Sequence, residues 1–263
     1  MSAGTNSVDR MMRWKTVLDL AMTLAIIAAC ATLIWALVTN RGDIAGRPVQ
    51  AAPEAAGAVR RTPPPVPKEP VSLAGAPVKG SQAARVAIIQ YAEFECPYCA
   101  RFAAETLPLL EREYVDTGRV LLAFRHLPLE RIHPSAVIAA AGAECAARQD
   151  RFWDLHDRLF TLSPPFTVAA VRAAAEAVAL DAPRFSTCLA GDGLARVRED
   201  MASARQLGIT GTPTFLIGGV EPDGRVRVRY WLSGARPFAQ FATILDGLLK
   251  GLGPDTPTLP QQP

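Results

Sequence analysis

The chain has 263 residues, enough for one large domain or for a modest domain with appended segments. It carries 28 lysines and arginines against 25 aspartates and glutamates, and this near balance argues against a strongly basic nucleic-acid-binding protein. The 22 prolines exceed what a compact domain uses and predict that part of the chain is a linker. Five cysteines are too few for a disulfide-dense scaffold, so their positions carry more information than their number.

An apolar segment close to the N-terminus predicts a membrane anchor. From Leu20 to Val38 the sequence has no charged side chain. A helix over these residues, at a rise of ~1.5 Å per residue, would extend roughly 28 Å, close to the hydrocarbon thickness of a bilayer. A cleaved signal peptide is the alternative, but its apolar region is usually only about 7–15 residues long and ends at a small-residue cleavage site. The longer run here favours an uncleaved transmembrane helix over residues 20–38.

Basic residues on the two sides of this segment predict its orientation. Three precede it and two follow it: Arg10, Arg13 and Lys15, and then Arg41 and Arg47. Because the more basic flank stays on the cytoplasmic side, residues 1–19 are expected to form a short cytoplasmic N-terminus. The bulk of the protein would then lie outside the cytoplasm.

Two further segments have compositions that cannot bury a core. Residues 39–82 are rich in alanine, proline, glycine and valine, which favours an extended, semi-rigid linker. Residues 253–263 are rich in proline and predict a disordered tail. The folded domain is therefore expected over residues 83–252, which are numerous enough for a hydrophobic core.

The first elements of this domain indicate a parallel sheet. Val86–Phe94 is an apolar run typical of a buried strand, and the sequence CPYC at Cys96–Cys99 follows it directly. A helical stretch comes next, in which Pro108 predicts a kink or a restart. Arg119–Arg125 has the pattern of a second buried strand, so the order strand, helix, strand predicts a βαβ unit.

The rest of the domain divides into an insertion and a closing unit. Residues 134–207 have a helical pattern throughout and predict a helical subdomain inserted into an α/β fold. Strand signals return at Thr214–Ile217 and, after a Pro-Asp-Gly turn, at Val226–Tyr230. An amphipathic helix over Phe238–Leu252 is expected to close the domain.

The CPYC motif has a specific chemical consequence where a strand leads into a helix. Cys96 lies at the helix start, where unpaired backbone N–H groups and the helix dipole favour an anion, so its thiol pKa is expected to fall below about 8.5. Cys99 lies one turn further along and is close enough to form a disulfide with it. A zinc site is the alternative, but it needs four ligands, and no second cysteine pair has metal spacing. The chain has three histidines, each more typical of a structural or solvated position: His126, His133 and His156. Redox chemistry is therefore favoured, with no metal and no cofactor.

Several segments together resemble one family. The sequence YAEFECPYCARF, the sequence GTPTF at Gly211–Phe215, and the segments Phe124–Ala136 and Gln149–Phe160 are similar to the DsbA-like branch of the thioredoxin superfamily. The long separation between Cys99 and Pro213 fits this branch better than a minimal thioredoxin or glutaredoxin. The resemblance implies a thioredoxin fold with an inserted helical subdomain. It also implies the activity of a protein thiol:disulfide oxidoreductase.

The resemblance assigns roles to four residues. Cys96 would be the attacking thiolate, and Cys99 would be the buried resolving thiol. Thr212 and Pro213 would form a loop that faces the disulfide, with the proline in the cis form. The residue before the proline would offer backbone hydrogen bonds to an extended substrate strand.

Two further residue pairs have open interpretations. Some relatives carry a second, non-catalytic disulfide in the helical subdomain, and Cys145 and Cys188 are the candidates for it here; two buried free cysteines are the alternative. Glu93 and Glu95 precede the motif, and strand alternation places both on one face. Either could exchange a proton with Cys99, or both could be solvated acids at a strand end.

The resemblance also implies a cellular setting and partners. The chain would be a single-pass protein of the bacterial inner membrane, with its catalytic domain on the periplasmic side. It would form disulfides in exported, cysteine-containing proteins, and a quinone-linked membrane protein would reoxidise it. A reductase or isomerase of the same fold, for cytochrome c or copper-protein maturation, is an alternative with which Thr212 is compatible. A non-catalytic metallochaperone or chaperone is a third interpretation.

Overall fold

The computed structural model describes Met22, residues 26–36 and residues 66–251. The chain forms two compact units, Met1–Arg61 and Thr62–Pro263. In the first unit, residues 26–36 are helical and exposed. None of the helices in the described part of the chain has both the length and the apolar character needed to cross a membrane. The predicted anchor over residues 20–38 is therefore not supported by the residues described.

The remaining predictions for the ends of the chain fall outside the described residues. They are the rest of the predicted anchor, the cytoplasmic segment 1–19, the linker up to residue 65, and the tail 253–263.

A five-stranded mixed sheet forms the centre of the second unit. In chain order its strands are β1 (Val78–Lys79), β2 (Val86–Ala92), β3 (Val120–His126), β4 (Thr214–Val220) and β5 (Val226–Ser233). The spatial order is β1-β3-β2-β4-β5, with β2 and β3 parallel and the other neighbours antiparallel. The predicted parallel βαβ unit is therefore confirmed. All residues of β2 and β3 are buried, as expected for central strands covered on both faces.

The fold begins earlier than the predicted boundary at residue 83. Val71 exchanges backbone hydrogen bonds of 2.9 and 2.8 Å with Val226, and β1 pairs with β3 at the other edge of the sheet. Pro70 and Pro77 flank these short segments and make the composition similar to that of the linker. Proline is tolerated at sheet edges, where some N–H groups need no strand partner. The proline-rich composition therefore predicted a linker where the structure has two short edge elements.

Helix α1 occupies residues 97–115 and connects β2 to β3. It contains two π-helical turns, Phe102–Thr106 and Glu111–Val115. The predicted kink or restart at Pro108 takes the form of the first of these turns, which ends two residues before the proline. Because proline lacks an N–H group and its ring crowds the preceding turn, a locally wider helix accommodates it without a break.

The predicted helical insertion is confirmed. Residues 134–207 contain five helices, and a sixth closes the domain after β5: α2 (Ala136–Ala147), α3 (Phe152–Phe160), α4 (Val168–Ala177), α5 (Ala182–Ala190), α6 (Gly193–Gln206) and α7 (Phe238–Leu249). Helices α2 and α4 pack closely at Gly142, where an added Cβ would lie 2.4 Å from Val171 Cγ1. The predicted closing helix ends three residues earlier than expected, at Leu249.

The buried residues form three clusters that together position the CPYC motif. Alternate side chains of β2 point to opposite faces, with Ile88 in the cluster of α1 and α7 and Ile89 in the cluster on the other face. The third cluster joins Cys96 and Cys99 to Phe124 of β3 and to apolar residues of the insertion. The motif therefore lies where the ends of the parallel strands meet the helical subdomain.

Candidate active site

Cys96 occupies the N-cap position of α1. Its backbone is extended (φ −72°, ψ 118°), and Pro97 follows at the first turn of the helix. Proline is favoured there because its missing N–H is not needed at a helix start. The short turn between β2 and α1 therefore fixes the Cys96 sulfur at the end of the helix where unpaired N–H groups favour a negative charge.

The Thr212-Pro213 loop lies against Cys96. The two residues are joined by a cis peptide bond, and the Cys96 sulfur, when protonated, donates a hydrogen bond of 3.4 Å to the Thr212 carbonyl oxygen. The Thr214 hydroxyl donates to the carbonyl oxygen of Gly211 at 2.8 Å and so holds the loop at the start of β4. The structure thus brings together residues that are 116 positions apart in the chain.

The surroundings of Cys96 stabilise its thiolate. Its pKa is lowered from 9.0 to about 5, chiefly by a hydrogen bond from the Cys99 thiol, with help from the Thr212 side chain and the backbone N–H groups of Cys99 and Tyr98. Burial acts in the opposite direction, but it is outweighed. The Thr212 hydroxyl is buried and has no well-formed hydrogen bond within the described residues, so it remains available to the sulfur. Most of Cys96 at neutral pH is therefore anionic.

Cys99 has the opposite character. It is completely buried, and burial together with the neighbouring Cys96 raises the pKa of its thiol well above 9.0. A pair with one ionised and one protonated sulfur is suited to thiol–disulfide exchange. The thiolate is the nucleophile, and the thiol can later attack the mixed disulfide that the thiolate forms. The geometry thus gives the two cysteines different chemical roles.

Glu93 and Glu95 do not share one environment. Strand β2 ends at Ala92, so the predicted alternation stops there and only Glu93 becomes fully buried. Burial raises the pKa of Glu93 to about 7, although its contacts with Glu95 and His133 oppose the rise. The contact between Glu93 and His133, 40 positions further along the chain, was not predicted. No local pattern in the sequence marks it.

Cys145 and Cys188 form a disulfide between α2 and α5. Their Cα atoms are 5.7 Å apart, and neither is a free thiol, unlike Cys96 and Cys99. His126 and His156 are completely buried, and within the described residues neither is hydrogen-bonded to Glu93 as His133 is. Within the described part of the chain, no three histidine, cysteine or acidic side chains are grouped in a way that could hold a metal ion.

Comparison with known proteins identifies the family. A family model described as Thioredoxin matches residues 73–233, more than half of the chain. The chain belongs to this family. The strand pairing, the CPYC motif at the start of α1 and the cis proline are thus features of a thioredoxin-family domain.

Solved structures show which type of thioredoxin-family fold this is. The crystal structure of α-DsbA1 from Wolbachia pipientis has a TM-score of 0.61 and 23% sequence identity, and the match covers 69% of this chain and 94% of that one. A thioredoxin-like oxidoreductase from Silicibacter pomeroyi has a TM-score of 0.54 and 26% identity, with 66% and 92% covered. The fold is therefore that of DsbA-type thiol–disulfide oxidoreductases.

One protein with a similar sequence is named as an antiporter. The Na(+)/H(+) antiporter NhaA 3 of Salinispora tropica is 40% identical over 148 residues, which are 56% of this chain but 22% of that protein. The match thus spans less than a quarter of the relative's length. The antiporter activity in its name is a property of that much longer protein.

Proposed function

We propose that this protein is a thiol–disulfide oxidoreductase that forms or exchanges disulfides in other proteins. The observation that carries the proposal is the Cys96 sulfur, whose lowered pKa makes it a thiolate at neutral pH next to the protonated, buried Cys99. The adjoining Thr212-Pro213 loop offers a surface beside the reactive sulfur. Such an arrangement favours attack of the Cys96 thiolate on a substrate sulfur and the later release of Cys96 from it.

The proposed reaction conserves atoms and electrons through a mixed disulfide. In the oxidising direction, a substrate thiolate attacks Cys96 of the Cys96–Cys99 disulfide, and Cys99 leaves as a thiolate that then takes up a proton. A second substrate thiolate attacks the substrate sulfur of the mixed disulfide, and Cys96 leaves. The substrate loses two electrons and gains a disulfide, while the enzyme gains the two electrons and becomes a dithiol. An electron acceptor must then reoxidise the pair.

The lowered pKa of Cys96 supports the oxidising direction. A reduced form stabilised by its thiolate makes the disulfide easier to reduce, so the disulfide is a stronger oxidant. Cys99 makes the largest contribution to this lowered pKa. The redox potential tests the direction: a value near about −120 mV would support an oxidase, and a value near about −270 mV would support a reductase.

The proposed setting is outside the cytoplasm. Disulfides persist in oxidising compartments, and the Cys145–Cys188 bond fits such a location. We therefore propose exported, cysteine-containing proteins as substrates, anchoring of the domain to the bacterial inner membrane through residues 20–38, and a quinone-linked membrane protein as the electron acceptor. The apolar sequence of residues 20–38 supports the anchor, and cell fractionation with alkaline extraction of membranes would test it.

The central experiment is trapping of the mixed disulfide. A Cys99→Ala variant of the full chain lacks the resolving thiol, so covalent complexes through Cys96 should accumulate and dissociate on reduction. The matched control is the Cys96→Ala/Cys99→Ala double variant, which should form none. Equal amounts of complex in both variants, or none in either, would refute the proposed function. The identity of the trapped proteins would reveal the substrates.

A further inference from the structure

His133 contacts the active site from outside the CPYC motif. It lies in the loop between β3 and α2, and its Nδ1 atom is hydrogen-bonded to Oε1 of Glu93. The other carboxylate oxygen of Glu93 accepts a hydrogen bond of 2.6 Å from the backbone N–H of Glu95. Both oxygens of this buried carboxylate are thus held, one by the loop before the helical subdomain and one by the turn before Cys96.

Glu93 lies against both reactive cysteines. Its backbone forms a hydrogen bond with the Cys99 sulfur, and its carboxylate is close enough to Cys96 for their negative charges to repel each other. The ionisable groups that act on the Glu93 carboxyl group are therefore His133 and Cys96, with Glu95 in the same turn and Cys99 against the Glu93 backbone. The Glu93 side chain is 0% exposed, whereas 22% of the His133 side chain is exposed. His133 is the member of the pair that reaches solvent.

The proposed function requires a proton partner for Cys99. Cys99 leaves as a thiolate in one direction of exchange and must lose a proton to attack in the other, yet it is completely buried. Burial raises the pKa of Glu93 to about 7, and the hydrogen bond and charge of His133 limit that rise. A carboxyl group that titrates near neutrality can both donate and accept a proton under working conditions.

On the basis of this proposed function, we propose that His133 is a positioning residue that acts through Glu93. It holds the Glu93 carboxyl group beside the cysteines and keeps it able to exchange protons between Cys99 and solvent. When the Cys96–Cys99 bond breaks, a proton passes from Glu93 to the Cys99 sulfur. When Cys99 resolves a mixed disulfide, its proton passes to Glu93, the Cys99 sulfur bonds to Cys96, and the substrate leaves as a thiolate.

The resolving step provides the test. Reduced protein is mixed with oxidised glutathione, which forms a mixed disulfide at Cys96, and its intramolecular release by Cys99 is timed across a range of pH. A Cys30→Ala background removes the third free thiol. The rate should rise through an inflection near pH 7, where Glu93 becomes a proton acceptor. His133→Ala should move the inflection upward by about one unit, which makes release about tenfold slower at pH 6.

Three further variants separate the relay from a merely structural role. Glu93→Gln should abolish the inflection, and adding His133→Ala to it should cause no further slowing. His133→Gln retains a neutral donor but no charge, so its inflection should lie between those of the parent and His133→Ala. Ile132→Ala changes the neighbouring, exposed loop residue and should leave the profile unchanged. Thermal unfolding of each variant, measured in parallel, identifies any loss of fold.

The outcomes distinguish this proposal from the proposed function. If glutathione is captured and released but His133→Ala leaves the inflection in place, the role of His133 is refuted while the exchange activity stands. Equal slowing by His133→Ala in the parent and in the Glu93→Gln background also refutes it. If Cys96 captures no glutathione in the parent protein, the proposed function fails, and the role of His133 fails with it.

Discussion

The two cysteine pairs of this domain lie at opposite ends of their helices, the first pair at a helix start and the second near two helix C-termini, and their surroundings differ. Cys96 and Cys99 lie on one helix as free thiols next to the Thr212-Pro213 loop. Cys145 and Cys188 belong to two different helices and are joined in a disulfide. The first pair has a hydrogen-bonded thiolate, whereas the second connects two segments of the chain across 43 positions.

The two pairs differ in the groups that surround them. A surface pocket of about 780 Å³ is lined in part by Cys145 and Cys188, although Cys145 itself is buried. Gly193 packs closely on this disulfide, since an added Cβ there would lie 2.9 Å from the Cys145 sulfur. The disulfide is thus fitted into the packing of the subdomain. Cys96, in contrast, is surrounded by hydrogen-bond donors that stabilise its thiolate, and this negative charge exists only in the reduced protein.

Loss of a single sulfur should separate the activities of the two cysteine pairs most clearly. Cys96→Ser is expected to abolish thiol–disulfide exchange, because a serine hydroxyl is not ionised at neutral pH and cannot form the mixed disulfide. The Cys145→Ser/Cys188→Ser double variant should retain exchange. Reduction of a model disulfide by the purified proteins measures both. Loss of activity in the double variant, with its fold intact, would assign the second pair a catalytic role.

For stability, loss of the Cys145–Cys188 pair should have the larger effect, and loss of the Cys96–Cys99 pair the smaller one. Removing the Cys145–Cys188 disulfide frees a loop closed over 43 positions, which costs about 4 kcal/mol of unfolding free energy in the chain-entropy model. Denaturant unfolding of oxidised Cys145→Ser/Cys188→Ser against the parent protein gives this difference. The active-site pair closes a much shorter loop, so Cys96→Ser/Cys99→Ser should cost less. An equal loss for both pairs would contradict the division into reactive and structural disulfides.

The sequence already contained most of the local information about the reactive pair. An apolar run at Val86–Phe94, followed by CPYC and a helical stretch, predicts Cys96 at a helix start because each signal lies within a few residues of the next. The helical subdomain was predictable for the same reason. The hairpin of β4 and β5 followed from alternation and a Pro-Asp-Gly turn.

Features that depend on distant contacts were not predictable in this way. The pairing of Val71 with Val226 was not predicted, because the proline-rich composition around Val71 indicated a linker. The environment of Glu93 depends on His133, which a loop brings back to the end of β2. Strand alternation treated Glu93 and Glu95 alike because it assumed that β2 continued beyond Ala92. Tertiary packing decides such contacts, and one sequence contains no local signal for them.

A change in pH should affect the stability of the reduced protein more than that of the protein with a Cys96–Cys99 disulfide. The pKa of Cys96 is about 5 when folded and near its ordinary 9.0 when unfolded, so its thiolate stabilises the reduced protein. This contribution is fully present above about pH 9 and is lost as the pH falls through 5. The reduced form should therefore gain stability over the Cys96–Cys99 disulfide form as pH rises from 5 to 8. Denaturant unfolding of both forms measures the gain. Cys96→Ser cannot form the disulfide, and its own unfolding free energy should lack the rise that the Cys96 thiolate gives the reduced parent.

Thr212 lies beside the Cys96 sulfur, and its replacement should have only a small effect on the Cys96 pKa. The pKa of Cys96 is lowered most by the Cys99 thiol and less by the Thr212 side chain. Thr212→Val removes the hydroxyl but keeps the backbone carbonyl that accepts a hydrogen bond from the protonated Cys96 thiol. It should therefore raise the thiolate pKa by less than Cys99→Ala does. Absorbance of the thiolate at about 240 nm against pH, in reduced protein with Cys30→Ala, compares the two variants.

A larger shift for Thr212→Val than for Cys99→Ala would reverse this order. It would mean that the loop hydroxyl, rather than the neighbouring thiol, is the main donor to the Cys96 thiolate. The absence of a well-formed hydrogen bond at this buried hydroxyl, within the described residues, argues for the smaller effect. A buried hydroxyl without a well-aligned partner contributes little attraction and costs desolvation, so Thr212→Val should also leave the unfolding free energy equal or slightly higher.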